Sequence, residues 1–390
     1  MKRLLFIPLL FCALLGMAQN KVTVTPSQPL DNAVSGHYAA WTADGLQTYG
    51  GCNFPDVPCA DGGQKVYYPQ AYGASVQVPN GALFLGGMDA HGSLSECTFI
   101  SATDGTSTPI ESLPVGLDNF AATYHDGMVW VAGGQTNGTP NRNVYALQFP
   151  SGKVKSENGK LKAEPTVDAS QSGKVEGENS GVWSKVAELP DECRLQPCVA
   201  VQNTVSGKAL FIFGGYQPKT ESMAPMVHTD GVYMPIVELQ KGNTAPTQWK
   251  HTSQTMAWAA SGERKQHLQA IVGTTCTPVG YSHVMFFGGV DHDIFLEAIT
   301  DQPYDYHNHE PEWYKFRKDV LIYHTVTDSW GLLPGNSLLA RAGACLTPEV
   351  GGKGAHRWSV HAYRRTEERR CDTLETHLAD IGMDREQQRH

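Results

Sequence analysis

Residues 82–87 read Ala-Leu-Phe-Leu-Gly-Gly, an apolar stretch that ends in two glycines. Variants of this pattern occur at four other places: LQTYGG at 46–51, MVWVAGG at 128–134, LFIFGG at 210–215 and VMFFGG at 284–289. Another β-rich segment precedes most of them across a short polar turn, such as Pro-Asn-Gly at 79–81. Two such segments joined by this kind of turn predict a β-hairpin. The chain therefore repeats one hairpin that closes on a glycine pair.

Aromatic residues follow the glycine pairs in a second regular pattern. A strand tyrosine and then a tryptophan occur as Tyr145 with Trp183, Tyr233 with Trp249, and Tyr323 with Trp330. Glycine lets the backbone approach a neighbouring sheet closely, and the large rings fill the space between sheets. This combination is typical of kelch-type propellers. We therefore predict an all-β fold, a six-bladed kelch-type β-propeller over residues 19–352, with the sixth inner strand beginning at 340–344.

The spacing of the glycine pairs predicts irregular blades. The step from Gly50 to Gly86 is 36 residues, whereas a kelch blade needs about 50. At the other end, the regular β pattern stops at about Gly352. We therefore expect the first and last blades to be incomplete.

Composition and the N-terminal residues restrict the class of protein. With 390 residues, 41% of them hydrophobic, the chain can bury a large core and is not intrinsically disordered. Its 30 basic and 39 acidic residues give no excess of positive charge for nucleic acid. Lys2 and Arg3 precede an apolar run at 4–15 and small residues at 16–18, which predicts a signal peptide over 1–18. We expect a secreted, most simply periplasmic, protein with no membrane attachment after cleavage.

Eight cysteines remain after that cleavage. In an oxidising compartment Cys52 with Cys59, and Cys193 with Cys198, are close enough in sequence to pair. Free, partly buried thiols are the alternative, and the sequence does not decide between them.

Three segments carry a resemblance to a known family. They are FGGVDHDIFLEAI with HEPEWYKF within 287–316, GGCNFPDVPCADGGQKVYY at 50–68, and AYGASV at 71–76. In these segments the chain resembles the cyclically permuted mutarotase family, kelch propellers related to the bacterial sialic acid (N-acetylneuraminate) mutarotase. The resemblance covers roughly residues 35–347. It implies a cofactor-independent isomerase that interconverts the anomers of a sugar acid, with no metal.

The sequence departs from the family at two places. The family has two complete outer strands between the segments that correspond here to KVYY and AYGASV. It also carries a glutamate, proposed as the proton acceptor, after the strand that corresponds to 340–344, and no matching motif is present. Residues 353–390 form instead an atypical tail, in which 354–390 hold 7 of the 13 arginines. We interpret this tail as an altered end, with a helix over 367–389 as the alternative.

Polar residues beside the inner strands are the candidate site residues, because such residues converge at one end of the channel of a propeller. We predict proton transfer by Asp118. We predict that substrate binding involves Arg194, Arg341, Asn53, Asn119 and His283. The two arginines each precede an inner strand and can hold a carboxylate through two hydrogen bonds. The alternatives are a structural ion pair for each arginine and a turn or capping role for the others, including Asp56, Tyr72, Gln196, Asp291 and Asp293.

Mutarotation of a sialic acid opens a hemiketal ring and closes it on the other face. It requires a base for the anomeric hydroxyl proton, an acid for the ring oxygen and a cation for the carboxylate. Two other functions stay open at this point. One is a non-catalytic kelch propeller that binds glycans or proteins. The other is a galactose-oxidase-like copper enzyme, which requires a Cys–Tyr pair and histidines at the channel.

Overall fold

The computed structural model describes residues 22–30, 34–57, 61–149, 154–157, 160–163, 181–241, 248–258, 266–301, 305–306, 309–348, 356–363 and 371–378. The predicted signal peptide lies outside these ranges. The described residues are mostly in β-strands. Their helices are short: α1 (Ile236–Leu239), α2 (His292–Asp301) and two 3-10 turns at Pro311–Tyr314 and Ser337–Leu339.

The first part of the chain forms one strand and two small hairpins. The strands are β1 (Val22–Leu30), β2 (Tyr38–Thr42), β3 (Gly45–Tyr49), β4 (Cys52–Asn53) and β5 (Val66–Tyr67). β2 pairs with β3, and β4 pairs with β5, each as an antiparallel two-stranded sheet. The glycine pair at 50–51 thus follows a two-stranded sheet, in line with the short first step in the sequence.

Four antiparallel sheets follow, each with four main strands, which we name blades A to D. Blade A contains β6 (Ala74–Val78), β7 (Gly81–Met88), β8 (Ser93–Ser101) and β9 (Ser107–Ile110). Blade B contains β10 (Asp118–His125), β11 (Met128–Thr136), β13 (Asn143–Gln148) and β16 (Trp183–Glu188). Blade C contains β17 (Cys198–Thr204), β18 (Gly207–Phe213), β21 (Gly231–Pro235) and β22 (Lys250–His251). Blade D contains β25 (Thr274–Val279), β26 (His283–Gly288), β27 (Val320–His324) and β28 (Ser329–Leu333).

The chain also contains several shorter strands. β12 (Thr139–Pro140) pairs with the C-terminal end of β11 and is the fifth strand of the blade B sheet. The other short strands form three hairpins: β14 (Val154–Glu157) with β15 (Lys160–Ala163), β19 (Tyr216–Gln217) with β20 (Met226–Val227), and β23 (Met256–Trp258) with β24 (Gln266–Leu268).

The two ends of the described chain share one sheet, which we name the closing sheet. Its strands are β29 (Cys345–Pro348), β30 (His356–Tyr363), β31 (Cys371–Leu378) and β1, and β1 lies beside β31. The alternative interpretation of the tail, a helix over 367–389, is therefore wrong for residues 371–378, because these residues lie in a strand. Strand pairing also continues past residue 352, although the domain boundaries stay predictions.

The arrangement is all-β and propeller-like, with four complete blades. The prediction of six blades is not confirmed, because the remaining strands form the closing sheet and the two-stranded β2–β3 sheet.

The glycine pairs join each sheet to the next one along the chain. Both glycines of every pair have positive φ, a conformation that side chains with a Cβ disfavour. The second glycine donates its N–H to a carbonyl in front of the next inner strand: Gly51 to Gln70, Gly87 to Leu117, Gly134 to Arg194, Gly215 to Ile271, and Gly289 to Arg341, at 2.7–2.9 Å. A Cβ on the first glycine would lie 2.4–2.8 Å from that same carbonyl oxygen. The sequence pattern thus encodes the contact between blades.

Apolar clusters fill the space between neighbouring sheets. One cluster joins blades A and B around Leu83, Val131 and Tyr145, and another joins blades C and D around Phe211, Phe286 and Tyr323. Similar clusters lie between blades B and C and between blade D and β29.

The tryptophans sit where the aromatic pattern predicts. Trp183 Nε1 donates to the carbonyl of Glu111, Trp249 Nε1 to that of Glu188, and Trp330 Nε1 to that of Ser253, at 2.6–3.1 Å. Each indole is on the outer edge of one blade and bonds the chain that leaves the preceding blade. Each tryptophan therefore links two blades through packing and through one hydrogen bond.

Six cysteines of the described ranges are free: Cys52, Cys97, Cys193, Cys198, Cys276 and Cys345. Cys193 and Cys198 therefore do not pair, and the free-thiol alternative holds for these two. Cys59 lies outside the described ranges.

We expect Gly214→Ala to lower the free energy of unfolding by about 3 kcal/mol. Its φ is 61°, and an added Cβ would lie 2.4 Å from both the carbonyl oxygen and the Cβ of Ile271. Gly207→Ala is the matched control in the same blade, because its φ is 110° but nothing lies within 4 Å of the added Cβ. It should cost only about 1 kcal/mol. Equal losses for the two variants in chemical denaturation would contradict the proposed packing role.

Candidate functional site

A cavity of about 410 Å³ lies where six chain segments approach the centre of the molecule. Each segment lies just before an inner strand or at its start, and each contributes one residue that we call a lead-in residue. The lead-in residues are Gly36, Tyr72, Asn119, Gln196, Gly273 and Gly343, and all six line the cavity.

Backbone hydrogen bonds connect the lead-in residues around the cavity. Tyr72 N–H donates to the carbonyl of Gly36, Asn119 N–H to that of Tyr72, and Gln196 N–H to that of Asn119, at 2.7–2.9 Å. On the other side, Gly343 N–H donates to the carbonyl of Gly273 at 2.8 Å. These two runs of hydrogen bonds fix the positions of the lead-in residues within each run.

The lead-in residues share a left-handed backbone conformation, with φ between 50° and 69°. Glycine adopts this conformation without strain, whereas other residues pay about 1 kcal/mol or more. Three of the six positions nevertheless carry a tyrosine, an asparagine and a glutamine. Strained residues of this kind are often retained for function. The side chains of Tyr72, Asn119 and Gln196 are therefore the first candidates for ligand contact.

A hydrogen-bond network orients the two amides. Asn119 Nδ2 donates to Asp118 Oδ1 at 2.7 Å, and Gln196 Nε2 donates to Asn119 Oδ1 at 3.0 Å. Asp118 also accepts hydrogen bonds from Ser93 Oγ at 2.5 Å and from Gln135 Nε2 at 3.0 Å. Its side chain is buried, so a carboxylate with three donors stands behind Asn119. The arrangement presents fixed amide groups to the cavity, which suits hydroxyl-rich ligands.

Tyr72 is the contact point between the cavity and the loop that carries the family-like motif. Its hydroxyl lies 3.2 Å from Cys52 Sγ and 3.4 Å from Lys65 Nζ. Burial raises the pKa of Tyr72, and the neighbouring Cys52 and Tyr67 act in the same direction. Burial likewise raises the pKa of Tyr216 to about 12, with Cys193 and Asp118 adding to the shift. These phenols therefore stay protonated at neutral pH, and each hydroxyl can donate a hydrogen bond.

Helix α2 supplies an apolar part of the cavity. Asp291 Oδ1 accepts hydrogen bonds from the backbone N–H groups of Asp293 and Ile294 at 3.1 Å, which is the capping role left open by the sequence. Phe295 lines the cavity and meets Tyr216 edge-on, with ring centroids 5.1 Å apart. An aromatic surface of this kind can pack against the apolar face of a sugar ring.

The structure places the predicted Arg194 away from the cavity surface. It is completely buried between blades B and C, where its guanidinium meets Asp191 Oδ2 at 2.5 Å and Asp230 Oδ1 at 3.0 Å. It also donates to the carbonyl of Gly214 at 2.8 Å. These contacts are those of a structural ion pair, the alternative that the sequence left open. Its role in substrate binding stays a prediction.

Three other predicted residues also lie outside the cavity lining. Arg341 is buried, and its carbonyl accepts the hydrogen bond from Gly289. Asn53 accepts a hydrogen bond from the Tyr68 hydroxyl at 2.9 Å, in the loop beside Tyr72. His283 is at the opposite end of β26 from the glycine pair and packs edge-on against His324. Of the residues predicted from sequence to bind substrate, the structure brings Asn119 to the cavity.

Sequence reasoning missed three residues of this region. His37 and Phe295 line the cavity, and Lys65 contacts Tyr72. Lys65 lies within the motif GGCNFPDVPCADGGQKVYY. Its place in that motif is the signal that could have identified it, whereas only the asparagine and the aspartate of the motif were candidates.

The described residues contain no group of three or more His, Cys, Asp or Glu side chains arranged to hold a metal ion. None of the helices in the described ranges has the length and apolar character that crossing a bilayer requires.

Curated proteins with similar sequences carry one name. The N-acetylneuraminate epimerase of Yersinia pestis (strain Pestoides F) is 27% identical over 229 residues, which are 53% of this chain and 52% of the relative. The protein of that name from Yersinia enterocolitica serotype O:8 / biotype 1B is 27% identical over 188 residues, or 44% and 42% of the two chains. The resemblance stated from the sequence is confirmed as a similarity to proteins named N-acetylneuraminate epimerase. The chain spans about half the length of the curated relatives it matches.

Two other comparisons give weaker similarity or none. No family model matches the chain. A solved structure described as "Structure of YjhT" covers 70% of this chain and 69% of its own, at 16% identity and a TM-score of 0.42.

The buried His37 predicts a pH dependence of stability. Burial lowers its pKa to about 4, although a hydrogen bond to the backbone of Val34 acts in the other direction. Between about pH 6.5 and pH 4 the unfolded state binds a proton at this site that the folded state does not. The free energy of unfolding should therefore fall as the pH falls through this window, by up to about 1.4 kcal/mol per pH unit.

The variant His37→Gln isolates this contribution. Chemical denaturation at pH 7.5 and at pH 5 should show a smaller stability loss for the variant than for the unmodified protein. The same loss in both proteins would contradict the assignment to His37.

Proposed function

We propose that this protein interconverts the anomers of a sialic acid, as an N-acetylneuraminate mutarotase or epimerase. The observation that carries the proposal is the set of strained tyrosine, asparagine and glutamine residues around the cavity, taken together with the names of the curated relatives. We also propose a six-position ring of blades, in which β2–β3 and the closing sheet fill the two remaining positions. Export to the periplasm after removal of residues 1–18 completes the proposal.

The reaction suits a site of fixed hydrogen-bonding groups. The hemiketal O–H bond at the anomeric carbon breaks as a base accepts its proton, and the ring C–O bond breaks as the ring oxygen gains a proton. Rotation about the bond that joins the new carbonyl carbon to the rest of the open chain presents the other face of the carbonyl. The reverse steps then give the other anomer. No atom is gained or lost overall, so the proposed reaction requires no redox cofactor.

We assign distinct roles to the cavity side chains. The amides of Asn119 and Gln196 hold hydroxyl and N-acetyl groups of the sugar. The protonated hydroxyl of Tyr72 donates toward the ring oxygen. Phe295 packs against the apolar face of the sugar.

The main test measures anomer exchange of N-acetylneuraminate by NMR exchange spectroscopy. The unmodified protein should accelerate exchange above the rate in buffer, and Gln196→Ala should lower the acceleration at least 10-fold. Asp126→Ala is the matched control, because Asp126 has the same left-handed backbone, with φ of 48°, but lies in the turn between β10 and β11. It should retain full activity.

Three further outcomes distinguish the proposed function from its alternatives. Binding of N-acetylneuraminate with no acceleration would support a non-catalytic glycan-binding propeller. Exchange that proceeds equally with Gln196→Ala would show that the cavity is not the site. Copper-dependent oxygen uptake would favour the oxidase alternative.

Asp118 has two possible roles that kinetics can distinguish. The sequence predicts it as the group that transfers the proton, whereas its contacts favour a role in holding Asn119. We expect Asp118→Asn to lower the exchange rate 10-fold or more while the pH dependence of the remaining rate stays unchanged. Loss of an ionisation from the pH–rate profile would instead identify Asp118 as the proton acceptor.

A further inference from the structure

A sialic acid brings a carboxylate into a cavity that has no matching charge. Among the described residues that line the cavity there is no lysine, arginine, aspartate or glutamate. An anion in such a place requires a cation near the mouth, because an unpaired charge is costly to remove from water. The source of this positive charge is therefore a question that the proposed function raises.

Two buried arginines near the cavity, Arg194 and Arg317, are engaged elsewhere. Arg194 holds two carboxylates. Arg317 donates to the carbonyls of Ala270 and Gly288 at 2.9 and 2.6 Å and to Thr274 Oγ1 at 3.1 Å. Recruiting either group for a ligand would break bonds that hold neighbouring blades together.

Lys65 differs from these arginines in its surroundings. Its ammonium group lies 5.3 Å from the ring centre of Tyr72 and 5.8 Å from that of Phe54, and it donates to the Tyr72 hydroxyl at 3.4 Å. Cation–π contacts of this kind hold an ammonium group in place without neutralising its charge. In the described part of the chain, no carboxylate lies within ion-pair distance of Lys65.

Tyr72 connects this cation with the cavity. The ring of Tyr72 is a lead-in side chain that lines the cavity, and its hydroxyl meets Lys65. An ammonium group has three N–H donors, so Lys65 can bond Tyr72 and an anion together. Lys65 is exposed, which lets an incoming ligand reach it and also exposes the interaction to screening by salt.

We propose that Lys65, held over Tyr72 and Phe54, is the specificity-determining residue that selects sugars bearing a carboxylate. The proposal rests on the proposed function, because it names the group of that same site that recognises the acid. Neutral sugars of the same shape bind without this contact and therefore more weakly.

The test measures binding by isothermal titration calorimetry, with N-acetylneuraminate and its methyl ester as probes. The unmodified protein should bind the acid about 10-fold more tightly than the ester at low salt. Lys65→Met keeps a side chain of similar length and should remove this preference by weakening binding of the acid alone. Lys65→Arg should retain most of it, and 0.5 M NaCl should reduce the preference of the unmodified protein.

Lys185→Met is the control for loss of one positive charge. Lys185 is exposed on β16 at the outer edge of blade B, and its loss should leave both affinities unchanged.

Each outcome separates this inference from the proposed function. An acid preference that persists in Lys65→Met overturns the role of Lys65 while the proposed function stands. Absence of binding for both probes in the unmodified protein overturns both. Binding of the acid without anomer exchange removes the catalytic proposal alone, and the acid preference still decides the role of Lys65.

Discussion

The close contact between a glycine pair and the carbonyl of the next lead-in segment is the constraint on which the rest of the structure depends. It occurs five times, and each time the second glycine N–H bonds a carbonyl that the first glycine can approach only because it lacks a Cβ. The contact sets the distance between sheets, which lets the apolar clusters close and the tryptophans reach the preceding blade. It also sets the position of the lead-in residue two places further along the chain. The site and the fold therefore share one geometric origin.

This coupling explains why some features could be predicted from sequence and others could not. Glycine pairs and alternating apolar residues act locally, so the hairpins of blades A to D could be read from the pattern. The closing sheet could not, because β1 and β31 are distant in sequence and neither ends in a glycine pair. The tail also has a charged composition that hides its strands from any pattern of apolar alternation.

The site residues likewise divide into those that the sequence could predict and those that it could not. Asn119 could be predicted because it lies at the start of a recognisable inner strand, β10. Arg194 and Arg341 precede inner strands in the same way, but both are buried, Arg194 between blades B and C, and neither lines the cavity. Sequence position specifies where the backbone lies and leaves the direction of a long side chain undetermined. Lys65 shows the reverse case, since it lies outside every inner strand and reaches the cavity through Tyr72.

The pairing of β1 with β31 has a consequence for how the chain acquires its structure. Val22 lies opposite Leu378, so this pairing joins residues more than 350 positions apart. Contacts of such long range form late, because closing so long a loop costs conformational entropy before the contact contributes any stability. Blades A to D, built from neighbouring strands, can form first. The pairing of β1 with β31 then completes the closing sheet, and until that moment the unpaired edge of β31 is the place where a second chain could add instead.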